Sequence, residues 1–224
     1  MAYGCTRNLI MPFISITPYE LFSSFTQEIV FCLGLLVLLV ATAIPSFSRD
    51  NTFFSLLALS VTCAALSYSF VPCYQPLVIS STATNISKFL VCSAFVLILL
   101  LDYYCSKSSK ETLILLGFSL LAMLLLLSSN DWFFLFLSVE FLALSSYCLI
   151  AMPRTKRSLE AVIKYFAAGA ISTCFLLFGI FVLFVSCETT SFFVFPTQYA
   201  AALAFTAFCS SAFLIKAGSA PFHY

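Results

Sequence analysis

The sequence predicts an all-α integral membrane fold of about seven transmembrane helices, the seventh broken near its C-terminal end. Three observations predict it. Of 224 residues, 62% are apolar and only 8% are charged, where soluble domains run near a quarter charged. The mean hydropathy is +1.09. Prolines and short polar clusters divide the chain into apolar runs, most of them near the ~20 residues that cross a hydrocarbon core about 30 Å thick. The net charge of +1 points to no nucleic-acid or acidic partner.

Residues 1–18 read as a short lead containing Pro12 and Pro18, and the rest, 19–224, as one membrane domain. The lead has one arginine and no charged region feeding a cleavage site, so no removable signal or transit peptide is expected. Spans are predicted over about 19–44, 52–71, 88–104, 112–128, 131–152, 158–187 and 198–217. Pro45, Pro72 and Pro153 close the first, second and fifth, since a proline lacks the N–H a helix needs. The Ser-, Thr- and Asn-bearing stretch 72–87 reads as a loop. Asp131 is placed as a cap or first-turn acid of the fifth helix. The sixth span is long, so its first turns should project into water. Gly218 and Pro221 should break or kink the seventh.

Lysines and arginines cluster on one side. The first-second, third-fourth and fifth-sixth loops carry Arg49, Lys107, Lys110, Arg154, Lys156 and Arg157, against Arg7 and Lys88 opposite. The positive-inside rule then turns the N-terminus outward. Ten cysteines are scattered with no C-x-x-C, and His223 is the single histidine, so no metal or iron–sulfur site is expected. The cysteines read as small buried apolar residues.

Three ionisable side chains resist assignment to loops. Glu140 lies in NDWFFLFLSVEFLALSSYCLIAM, roughly 15 Å in from Asn130 at a rise of about 1.5 Å per residue, close to mid-depth. An acid there is costly and by default points to a functional site with a partner to be found, the alternative being a carboxylate neutralised for packing. Burial favours its neutral form and a nearby ammonium its charged form, as a proton relay requires. Lys216 is the candidate partner, beside the small residues 217–220, where a broken helix frees carbonyls and admits water. An interfacial anchor is the alternative for Lys216. Lys164 follows Glu160 by one helical turn and can pair with it, or snorkel to the headgroups.

The run from Asp131 to Met152 resembles the fifth helix of the antiporter-like membrane subunits of respiratory complex I, and most closely the branch of NADH dehydrogenase subunit 2, counterpart of bacterial subunit N. SLEAVIKYFAAGAISTCFLLFG (Ser158 to Gly179) is similar to the family's E-A-x-x-K-Y-F-x-x-G-A motif, and FLIKAGSAPFHY (Phe213 to Tyr224) to its broken segment with K-x-x-x-x-P-F-H. The first four spans match only in hydropathy.

The resemblance implies that Glu140 and Lys216 form a coupled proton-transfer pair, that Lys164 matches a helix-six lysine of less settled role, and that His223 follows the break. It implies no cofactor bound by this chain; FMN, iron–sulfur clusters, NADH and ubiquinone belong elsewhere in the complex. It also implies other membrane-arm subunits and the lipid bilayer as partners, and the mitochondrial inner membrane as the location, with the N-terminus toward the intermembrane space. The family continues beyond this point into helices with further charged residues, so the chain reads as the N-terminal piece of a split subunit whose later helices a second chain supplies. A subunit of a cation/proton antiporter or membrane-bound hydrogenase, a chloroplast-type quinone reductase, and a non-conducting scaffold are the alternatives.

Overall fold

A computed structural model of the chain describes residues 26–44, 48–69, 73–74, 79–105 and 109–219. Seven helices occur among them: α1 Thr26–Thr42, α2 Arg49–Ser69, α3 Thr82–Cys105, α4 Lys110–Ser128, α5 Trp132–Ala151, α6 Lys156–Cys187 and α7 Tyr199–Lys216. Six are long and apolar enough to cross a membrane; the described part of α1 is shorter. Between α2 and α3, β1 Cys73–Tyr74 pairs antiparallel with β2 Ile79–Ser80. The lead 1–18, the start of the first helix, Lys107, Pro221 and His223 lie outside the described residues.

The helices are apolar all round, the pattern expected where lipid replaces water as solvent. Leu33, Val37, Val40, Leu101, Ile163, Phe181 and Val185 point outward from the bundle. Two packed clusters lie inside. In the first, Phe31, Leu35, Leu56, Cys63, Cys92, Leu99, Leu113 and Leu124 tie α1, α2, α3 and α4 together. In the second, Leu176, Ile180 and Leu183 of α6 meet Phe205, Cys209 and Ala212 of α7. α5 joins the two: Phe141 packs on the first cluster, and Trp132, Leu135 and Phe136 on the second. Glu140 therefore sits on the helix both clusters share.

Close approach sets the seams. A side chain at Gly117 would meet Leu35 Cδ2 at 2.6 Å and Leu56 Cδ2 at 3.1 Å, so α4 packs onto α1 and α2 only because that position is bare. Gly179 similarly admits Cys209 Sγ, 2.8 Å from where a Cβ would lie. Ser172 Oγ donates to the Ala212 carbonyl at 2.8 Å and pins the same α6–α7 seam.

Helix ends follow local chemistry. Asp131 caps α5, accepting from the Phe133 N–H, and its other oxygen accepts from Thr190 Oγ1 at 2.6 Å. The Trp132 N–H donates to the Thr190 carbonyl at 2.9 Å, fastening the start of α5 to the segment after α6. α6 runs 32 residues behind a Thr155–Ser158 capping box, long enough for its first turns to project. α7 closes in a Schellman motif: the Ser219 N–H reaches the Leu214 carbonyl and the Gly218 N–H that of Ile215, with Gly218 at φ 64, where glycine carries no Cβ penalty.

Two expectations need correction. The third helix begins at Thr82 rather than Lys88. Ser81 and Thr84 cap each other's N–H groups, so the polar residues read as loop form the first turns of α3 and carry Lys88 inward. The cysteines are also not uniformly interior. Cys63, Cys92 and Cys209 are buried, but Cys105, Cys148 and Cys174 are exposed on the bundle's outer faces, where lipid accepts a small apolar group as readily as a core does.

Candidate functional site

Glu140 and Lys216 come together. Lys216 Nζ donates to Glu140 Oε1 at 3.2 Å, across α7 and α5, with 21% and 31% of the two side chains exposed. Lys216 is the last residue of α7 and reaches back into the bundle. A cavity of about 460 Å³ opens beside it, lined among others by Tyr147, Arg157, Glu160, Lys164, Tyr165 and Lys216. The pair thus borders a recess into which charged and tyrosine side chains project.

Lys164 sits in the same recess but not on the pair. It holds Glu160 Oε1 at 2.7 Å, and both side chains are about two-thirds exposed (65% and 67%). A close pair one turn apart on an open helix face contributes little. Tyr147 forms the wall nearest α6. Its hydroxyl occupies the space a side chain at Gly169 would need, and its ring packs edge-on against Tyr165 and Phe166. His223 lies outside the described residues, so its relation to the recess is not part of this geometry.

Sequence reasoning missed a second acid–amine pair. Lys88 Nζ donates to Glu28 Oε1 at 2.6 Å, with only 2% and 3% of the side chains exposed. Ser128 Oγ, from the end of α4, lies 2.6 Å from the same oxygen. Next to Glu28, Gln27 Nε2 donates to the Cys63 carbonyl at 3.0 Å. The signal was available: in TQEIVFCLG the acid enters an apolar run directly, and Lys88 is followed at once by Phe-Leu-Val-Cys. A third pair, Arg49 and Asp102 at 3.6 Å, ties the start of α2 to the end of α3.

Successive helices alternate direction, so the pairs fall on opposite sides. The described start of α1 and the starts of α3, α5 and α7 share one side of the bundle with the ends of α2, α4 and α6. Glu28, Lys88, Ser128 and Asp131 are on that face; Lys216, Arg154 and Arg157 are on the other. Among the described residues no cluster of three or more His, Cys, Asp or Glu could hold a metal ion.

These features define a multi-pass membrane protein with an antiporter-like helical fold. Residues 129–224 match the family described as NADH:quinone oxidoreductase/Mrp antiporter, TM. The chain is similar to NADH-quinone oxidoreductase subunit N of Herminiimonas arsenicoxydans, at 29% identity over 66% of this chain and 33% of that protein. It is similar to NAD(P)H-quinone oxidoreductase subunit 2, chloroplastic, of Chlorokybus atmophyticus, at 40% identity over 43% of this chain and 20% of that one. Among solved structures it superposes on a chain of respiratory complex I from Thermus thermophilus with bound aureothin, with a TM-score of 0.74, 20% identity, and coverage of 88% of this chain and 45% of that chain. That likeness establishes the fold. The chain spans about a third or less of the length of these curated relatives.

Proposed function

We propose that this chain contributes a proton-transferring acid–amine pair to the membrane arm of an NADH:quinone oxidoreductase, and performs no redox chemistry of its own. The observation that carries the reading is the 3.2 Å contact between Glu140 and Lys216 inside spanning helices, beside a recess lined in part by Arg157, Glu160 and Lys164. Both residues fall within the matched segment 129–224. At an effective dielectric near 20, a unit pair at that separation interacts by about 5 kcal/mol before solvation is counted. Parting the two side chains therefore alters how firmly each holds its proton. Movement elsewhere in an assembled complex that separates them would pass a proton from Lys216 toward the recess and return one to Glu140.

In this reading Lys164 tunes the recess by its charge. FMN, iron–sulfur clusters, NADH and ubiquinone act on other subunits. Neighbouring membrane-arm subunits flank the bundle. The charge asymmetry turns the N-terminal face away from the matrix or cytoplasm. Lys88, paired inside the bundle, adds no loop charge to that face, which agrees with this orientation. The mitochondrial inner membrane is the proposed host; fractionation of tagged protein tests it.

The test is Glu140→Gln and Lys216→Ala in the assembled complex, with protons moved per electron measured alongside the electron-input reaction. A lowered stoichiometry with intact electron input supports the reading. Wild-type stoichiometry in both variants overturns it. A second reading, a cation/proton antiporter subunit, is favoured by the antiporter half of the matched family's description. Copurification with subunits that carry FMN and iron–sulfur clusters excludes that reading.

A further inference from the structure

The Glu28–Lys88 pair lies outside the segment 129–224 that matches the family, and the Glu140–Lys216 relay makes no use of it. Its geometry is unlike that of a static ion pair. Glu28 Oε1 receives both Lys88 Nζ and Ser128 Oγ at 2.6 Å. Yet Ser128 Oγ also lies 2.7 Å from the Leu124 carbonyl. A hydroxyl has a single hydrogen and two lone pairs, so Ser128 can donate to only one of these acceptors at a time. Meanwhile Glu28 Oε2 is buried and has no hydrogen-bond partner among the described residues. A buried carboxylate oxygen left without a donor is costly.

We propose that Glu28, held between Lys88 and Ser128, is a second proton-binding site, on the membrane face opposite Lys216. With Glu28 charged, the Ser128 hydrogen points to Oε1. Proton uptake forms one O–H bond on the carboxyl. With the hydrogen on Oε1, it is donated to a Ser128 lone pair, and the Ser128 hydrogen turns to the Leu124 carbonyl. Lys88 remains an ammonium, so the pair passes from zero net charge to plus one. Release breaks the same O–H bond and turns Ser128 back. Every hydrogen bond that either state needs from Ser128 is already within reach, and no backbone movement is required.

Among the described residues, the groups facing Glu28 are Lys88 of α3, Ser128 of α4, Gln27 beside it on α1, and the hydrogen-bonded thiols of Cys63 and Cys92 on α2 and α3. Lys88 is the only formal charge among them. An ionisable group sealed in a bundle this deeply is retained at a cost that hydrophobic packing would avoid. Assignment of the site to the same proton path rests on the Glu140–Lys216 reading; proton binding itself does not.

The experiment is infrared difference spectroscopy of the full chain in nanodiscs, between acid and alkaline buffer, following the C=O stretch of protonated carboxyls. A band that is lost in Glu28→Gln, retained in Glu140→Gln and displaced in frequency in Ser128→Ala is expected. Absence of any band sensitive to Glu28→Gln across the pH range in which the chain stays folded overturns the proposal. A Glu28 band indifferent to Ser128→Ala overturns the hydroxyl's part. If Glu28→Gln does not fold, Ser128→Ala together with Glu28→Asp decides, since both must displace the same band and its loss of intensity with rising pH. A Glu28 band together with unchanged pumping in Glu140→Gln and Lys216→Ala would refute the relay and leave this site standing.

Discussion

Replacing Lys88 by methionine should be among the most damaging single changes in the first helix cluster. The substitution keeps the length of the side chain and removes its charge, leaving the Glu28 carboxylate buried with Ser128 as its remaining donor. At 2.6 Å and an effective dielectric near 20, the lost attraction is about 6 kcal/mol. Part of that is offset because the lysine no longer has to be desolvated. Breaking a buried pair from one side costs about 3–5 kcal/mol, and that is the expected loss for Lys88→Met at neutral pH. Removing both charges should behave differently: Glu28→Leu with Lys88→Met is expected to lie within about 1 kcal/mol of wild type. Reversible unfolding of the full chain in mixed micelles, read as a double-mutant cycle, measures both. A single variant that loses less than about 1 kcal/mol, or a double variant as unstable as the sum of the singles, would refute the reasoning.

Three further outcomes are expected. Gly117→Val should lose about 1–3 kcal/mol by overpacking, because the wholly buried Leu35 and Leu56 have no space to retreat into; the same unfolding assay reads it. Thr190→Val removes the hydroxyl that Asp131 holds at 2.6 Å and should cost about 1.5 kcal/mol, the lower end for a hydrogen bond to a charged group, with faster hydrogen exchange at the start of α5. Glu160→Gln breaks a pair that is two-thirds exposed and should leave the unfolding midpoint unchanged.

The parts of the site that could be read from sequence share one property. Glu140 and Lys216 stand in apolar runs long enough to cross on their own, so depth follows from counting residues. Their meeting across 76 positions of sequence was inferred from chemistry, each charge needing a partner, and the packing of α5 against α6 and α7 supplies the means. Lys88 escaped because its depth depends on where α3 begins. Ser, Thr and Asn favour turns through side-chain hydrogen bonds to the backbone, but here Ser81 and Thr84 spend those bonds on capping each other, and the helix starts early. Glu28 escaped with it: the predicted span 19–44 already places it inside the membrane, but with Lys88 read at the edge of a loop no partner is expected at that depth. The recess around Tyr147 and Lys164 could not be read at all. It is set by side chains brought together from α5, α6 and α7, and by the bare position at Gly169 that admits a neighbouring phenol.

The bond from Ser172 to Ala212 limits what Lys216 can do. In a regular helix the Ala212 carbonyl also accepts the N–H of Lys216, so one oxygen fastens the ammonium's own backbone to the neighbouring helix. The base of that side chain therefore cannot swivel about the α7 axis unless α6 turns with it. Freedom is left to the four methylenes above that anchor. Any stroke of the amine is the sweep of a tethered arm, and its radius is fixed by the length of a lysine.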